Sequence, residues 1–152
     1  MTGKTEILIV DGELTCWPTP WTRRIERLLA SDKTEVSVGL KCPKWWRDPK
    51  GFALILFRHT PLANCGDLQL GGVADRTVLV FEEEPDRALY ATLTGYGFHI
   101  VVWCGWEKGF IGDLLAAASA IREKNSRLGF DAVVIAAIAQ NNHLIDVERV
   151  PA

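Results

Sequence analysis

Long apolar runs are missing from this chain, and so are paired cysteines. No stretch approaches the roughly 18–20 consecutive apolar residues that a membrane-spanning helix requires, so no membrane association is expected. Cys16, Cys42, Cys65 and Cys104 are scattered without a CxxC pair. Zinc ligands normally come in close pairs, and reduced thiols in a cytoplasmic protein are the plainer expectation. The opening Met1-Thr2-Gly3-Lys4-Thr5-Glu6 lacks the apolar core and cleavage site of a secretory leader. Charge of one sign is lacking too: 17 Lys and Arg against 19 Asp and Glu leave a formal net charge of −2. That balance suggests neither a disordered segment nor the basic footprint of a nucleic-acid-binding protein. Phosphate-binding glycine signatures are absent. Gly71-Gly72 and Gly95-Tyr96-Gly97 have neither the placement nor the spacing of a dinucleotide or P-loop motif, and no GxSxG elbow occurs. An enzyme is therefore less expected than a binding domain, and no cofactor is expected.

What is present is alternation. At 152 residues the chain suits one hydrophobic core. Residues 5–11 end an apolar run on acidic groups, Ile7-Leu8-Ile9-Val10-Asp11-Gly12-Glu13, and read as a buried strand. Residues 20–30 form a helix: Thr19 is a good cap, Pro20 suits the first turn, and Ile25, Leu28 and Leu29 make a stripe. Strands follow at 35–40, at 52–57 (apolar throughout, as when both faces are buried) and at 77–81. A helix over 84–94 has Pro85 in its first turn and Gly95 near its end. A fifth strand at 99–103 precedes the longest helix, 108–124, with Phe110, Ile111, Leu114, Leu115, Ala118 and Ile121 on one side. This pattern predicts a three-layer open α/β sheet of about five parallel strands.

Residues 1–127 complete that domain, and 128–152 extend it. Two strand-like runs, 132–139 and 143–150, flank Gln140-Asn141-Asn142, as in a hairpin. A helix is the alternative for the Ala-rich first run.

With the strands placed, the chain resembles the receiver domain of bacterial response regulators, which has a flavodoxin-like fold. Ile7-Leu8-Ile9-Val10-Asp11-Gly12-Glu13 resembles that family's opening, where adjacent acids hold magnesium. Val78-Leu79-Val80-Phe81-Glu82 resembles its fourth strand, and Gly95-Tyr96-Gly97-Phe98-His99-Ile100-Val101-Val102 the approach to its fifth. The resemblance spans residues 5–124 and rests on pattern more than identity. The family's phosphoacceptor position falls on Phe57, its hydroxyl position on Glu82, and its lysine–proline pair on Cys104-Gly105. A phenylalanine accepts no phosphoryl group. The resemblance thus implies a pseudo-receiver: a signalling or regulatory protein-interaction domain that works without phosphorylation.

Asp11, Glu13 and Glu82 make a candidate acidic pocket at the C-terminal edge of the sheet, with weak magnesium binding conceivable at Asp11 and Glu13. Phe57, His59 and Cys104 line a candidate ligand pocket there, in which His59 would be the acid or base near neutral pH. A small enzyme or ligand-binding protein using this strand-end pocket is the alternative function. Trp17, Trp21, Trp103 and Trp106 belong near the same edge and read as space-filling. Trp45-Trp46 stand in a basic loop with Lys41, Lys44, Arg47 and Lys50, where one ring is expected to be exposed as an interface anchor. Base stacking there is disfavoured by the acidic net charge. The expected partner is a protein or a second copy of the chain. In receiver-like folds the fourth helix, fifth strand and fifth helix commonly form the dimer face, which places Phe110, Leu114 and residues 128–150 at a homodimer contact.

Overall fold

The computed structural model describes residues 5–12, 18–39, 51–60, 72–103 and 107–130. Five strands, β1 (Thr5–Asp11), β2 (Thr34–Gly39), β3 (Leu54–Arg58), β4 (Thr77–Phe81) and β5 (His99–Val102), form one sheet in the order β2-β1-β3-β4-β5. Every pairing is parallel. Three helices, α1 (Pro20–Leu29), α2 (Arg87–Gly95) and α3 (Glu107–Lys124), and a 3₁₀ turn (Ala74–Arg76) accompany the strands among the described residues.

Strand side chains alternate between two faces, and both faces are buried. Ile7, Ile9, Leu54, Leu56, Val78, Val80 and Val101 point one way, onto Ile25, Leu28 and Leu29 of α1 and Phe110, Ile111, Leu114, Ala118 and Ile121 of α3. Leu8, Val10, Ile55, Phe57, Leu79 and Phe81 point the other way, onto Leu93 of α2 and onto Val73, Ala74 and Phe98. A central strand between two apolar layers has no polar face to display, which is why β3 reads as an unbroken apolar run. The result is the expected α/β class in a flavodoxin-like, three-layer arrangement with that fold's strand order.

Element ends shift where local chemistry competes with periodicity. α2 begins at Arg87 rather than 84, because the Asp86 carboxylate accepts the Leu89 amide at 2.7 Å and caps the helix there. Pro85 therefore precedes the cap. α1 starts as expected on Thr19, in a capping box closed by a second threonine: the Thr22 amide donates to the Thr19 hydroxyl oxygen and the Thr19 amide to that of Thr22. β3 starts two residues later than the apolar run suggests, and Arg58 closes it.

Beyond α3 the chain turns back under the sheet. Leu128 and Phe130 are buried in the layer shared by α1 and α3, and the Gly129 amide donates to the Ala53 carbonyl at 3.0 Å. The runs 132–139 and 143–150, expected as a hairpin or helix, lie outside the described residues. Among the described residues, no helix is long and apolar enough to cross a membrane.

Candidate functional site at the strand C-terminal edge

Asp11 ends β1 and Arg58 ends β3, and the two are register partners. Their parity follows Ile7 and Ile9 in one strand and Leu54 and Leu56 in the other, so both side chains emerge on the face covered by α1 and α3. There the Arg58 guanidinium closes on Asp11: Nε donates to Oδ1 at 3.0 Å and Nη2 to Oδ2 at 3.1 Å. The remaining terminal nitrogen, Nη1, donates to Oε1 of Glu82, just past β4, at 2.7 Å. The Thr19 hydroxyl, at the start of α1, donates to Asp11 Oδ2 at 2.6 Å. One arginine thus ties together the ends of β1, β3 and β4, while Asp11 also anchors the first helix.

Burial decides what this arrangement can do. Asp11 is only 3% exposed. A carboxylate so placed is tolerable only if its charge is paired and its lone pairs are occupied, which the guanidinium fork and the threonine accomplish. The positive end of the α1 dipole favours the same charge. On its outer side the guanidinium lies 5.9 Å from the Trp21 ring centroid, within cation–π range. Trp21 is tilted against Trp103 at 6.5 Å, and Trp103 stacks on Phe110 at 4.9 Å. Acid, guanidinium and aromatic wall leave the corner filled from within.

The other candidates separate from it. Glu82 joins Asp11 through Arg58, with its own carboxylate largely in solvent. Phe57 has the opposite parity, is 0% exposed and is packed in the α2-side core. His59 shares that opposite face. Its ring stacks on Phe81 at 4.3 Å, and burial lowers its pKa below the ordinary histidine value. A histidine on one face and a paired aspartate on the other do not form a joint catalytic site. Glu13, Cys104, Trp45 and Trp46 lie outside the described residues. Phe110 and Leu114, expected at an association face, are instead 1% and 0% exposed. The apolar stripe of α3 that suggested a contact with another copy is consumed by the sheet of its own chain. No cluster of three or more metal-ligating side chains occurs among the described residues.

Among the described residues, two concavities lie elsewhere. One, of about 990 Å³, runs along β5 between α2 and α3 and is lined by all four β5 residues with Tyr90, Asp113, Ala116 and Ala117 among its walls. The other, of about 470 Å³, sits at the opposite end of the strands.

The sequence points to Asp11 and Glu82 at this edge, whereas Arg58 follows Phe57, the position that the family resemblance singles out. Strand parity was the available signal: position 58, not 57, shares the face of Asp11. Comparison with known proteins adds no relative: no family model, no curated protein and no solved structure matches the chain.

Proposed function

We propose that this chain is a phosphorylation-independent interaction domain of the pseudo-receiver kind, acting in regulation inside the cell and pairing with a second copy of itself. The observation that carries this reading is the position of Arg58. In a phosphorylatable receiver the acidic corner must stay open to a metal ion and a phosphoryl group. Here a tethered guanidinium neutralises Asp11, and Phe57 is buried beneath the other face. The same pairing argues against the enzyme alternative, since it withdraws the buried Asp11 from acid–base work.

The surface best suited to association is the groove along β5. The Trp103 amide donates inward to Phe81, so by the two-residue period the Ile100 and Val102 amides point to the outer edge. β5 ends the strand order among the described residues, and a strand edge of that kind invites another strand. Tyr90, half exposed, stands on one wall, and the small Ala116 and Ala117 on the other permit close approach. A two-fold axis through two such edges would join the sheets antiparallel, with Arg87 of each copy able to meet Glu84 or Asp113 of the other.

Light scattering on the full chain tests the pairing. The expected result is a dimer that Ala116→Glu or Val102→Pro converts to a folded monomer. A wild-type chain that remains monomeric at high concentration defeats it.

A further inference from the structure

The two walls of the β5 groove carry different chemistry. Val101 and Trp103 pack in the layer of α1 and α3, whereas Ile100 packs in the layer that holds Leu93 of α2. By the two-residue period of a strand, His99 shares the α3 side with Val101 and Trp103. Asp113 is the acidic group of that wall, beside the small Ala116 and Ala117. Glu84 and Arg87, just before and at the start of α2, belong to the other wall.

His99 and Asp113 lie at opposite ends of the α3 wall. Trp103 stacks on Phe110, near the start of α3, at 4.9 Å. Lys124, the last residue of α3, is the helix charge that acts on His99, so helix and strand run antiparallel. Asp113 follows Phe110 by less than one turn and therefore stands at the Trp103 end. From His99 to Trp103 the strand advances about 13 Å, beyond hydrogen-bond reach within one chain. Asp113 is exposed and makes no ion pair among the described residues.

A two-fold axis brings these ends together. An antiparallel join of two β5 edges lays the N-terminal end of one strand beside the C-terminal end of the other, and an axis normal to the sheet keeps both α3 walls on the same side. Ile100 and Val102 carry the outward amides and must pair among themselves, so two registers keep most of the four-residue strand paired. One sets His99 against Val101 of the other copy, and the second sets it against Trp103. Either register places His99 beside the half of the other copy's α3 that carries Asp113, once on each side of the axis.

We propose that His99 of each copy pairs with Asp113 of the other across the β5 join, and that this pair makes association tighten on acidification. The inference rests on the β5 pairing proposed above and assigns its regulation. In the separate chain burial holds the His99 pKa below the ordinary histidine value; Lys124, from α3, adds to this and Asp75, from the 3₁₀ turn, opposes it. A carboxylate brought against the ring raises that pKa. The joined copies then bind protons more readily than the separate chains. Association therefore strengthens as pH falls through the histidine range and weakens as pH rises.

Sedimentation of the full chain at pH 8 and pH 6, at constant ionic strength, tests the pair. Two equivalent contacts should make the dimer about tenfold tighter at pH 6. His99→Gln and Asp113→Asn should each remove most of that tightening, and the two together no more than either alone. Asp113 is exposed, so its variant keeps the fold, which circular dichroism verifies. Glu123→Gln, at an exposed position of α3 outside the groove lining, should keep the tightening. Equal affinity at the two pH values, or tightening retained in Asp113→Asn, overturns the His99–Asp113 pair while leaving the β5 association standing. A wild-type chain that is monomeric at both pH values overturns the association and this pair with it.

Discussion

The Arg58 guanidinium grips the Asp11 carboxylate through two parallel hydrogen bonds, of 3.0 and 3.1 Å, at a depth where Asp11 is nearly removed from solvent. Removing either partner takes from the other its closest counter-charge at this depth. Asp11→Asn and Arg58→Met are each expected to cost about 3 kcal/mol. The double variant should cost clearly less than their sum, since it removes both charges together. Urea denaturation of the four proteins measures this. Strict additivity would mean that the two groups do not depend on each other.

Thr19 links that pair to the first helix. Its oxygen accepts the Thr22 amide, and its hydroxyl donates to Asp11 at 2.6 Å. Thr19→Ala loses both and should destabilise the chain by about 1–2 kcal/mol. Thr19→Ser keeps both and should restore most of the loss. If serine fares no better than alanine, the threonine methyl group, not the cap, is what matters.

The strands and the two longer helices were legible because their signals are local: apolar runs for strands buried on both faces, a cap and stripe for α1, an apolar stripe for α3. The start of α2 was not, because Asp86 and the acids before it all suit a helix start and only the hydrogen bond to Leu89 selects among them. The stripe holding Phe110 and Leu114 fits an association face as well as the sheet that buries it, because a stripe shows that a helix face is covered without showing by what. Asp11 was recognised as a site residue from its place at a strand end. Its partner was not, because the pairing spans 47 positions and depends on a register that no local pattern carries.

Gly129 is a sharper test of packing. Its φ of 75° lies in the left-handed region, and a Cβ would press on the Ala118 carbonyl oxygen. Gly129→Ala combines backbone strain with a clash against a helix that cannot yield locally, and should cost roughly 2–4 kcal/mol. Gly95→Ala, where a Cβ would meet nothing within 4 Å, should be nearly neutral or stabilising. Thermal denaturation of the two variants should separate them widely.

His59 and His99 both have pKa values lowered in the folded chain. Burial is the cause for His59; for His99 burial leads, Lys124 adds to it and Asp75 opposes it. A lowered histidine pKa means that the unfolded chain binds the proton more readily than the folded one. Stability should therefore fall as pH drops through about 6.5, the unfolded value, and level off below the folded values. His59→Gln together with His99→Gln should flatten that part of the profile. An unchanged slope between pH 7 and pH 5 in the double variant would assign the acid sensitivity to other groups.

Arg58 also determines whether the acidic corner takes up an ion. While its guanidinium occupies the space between Asp11 and Glu82, a divalent cation would have to displace a tethered charge that makes three hydrogen bonds to carboxylates. The wild-type chain is therefore expected to show no magnesium-dependent change, and no phosphoryl adduct on incubation with acetyl phosphate and magnesium. Arg58→Ala removes the internal cation and leaves two carboxylates within reach of one another, the number magnesium commonly takes from a protein alongside its waters. That variant should gain weak magnesium binding, in the millimolar range expected of so few ligands. Trp21, whose ring lies 5.9 Å from the guanidinium carbon, should report it as a change in fluorescence. The gained signal should disappear in Asp11→Asn combined with Arg58→Ala. Magnesium binding by the wild-type chain that survives Asp11→Asn would place the ion elsewhere and remove the argument that Arg58 stands in for it.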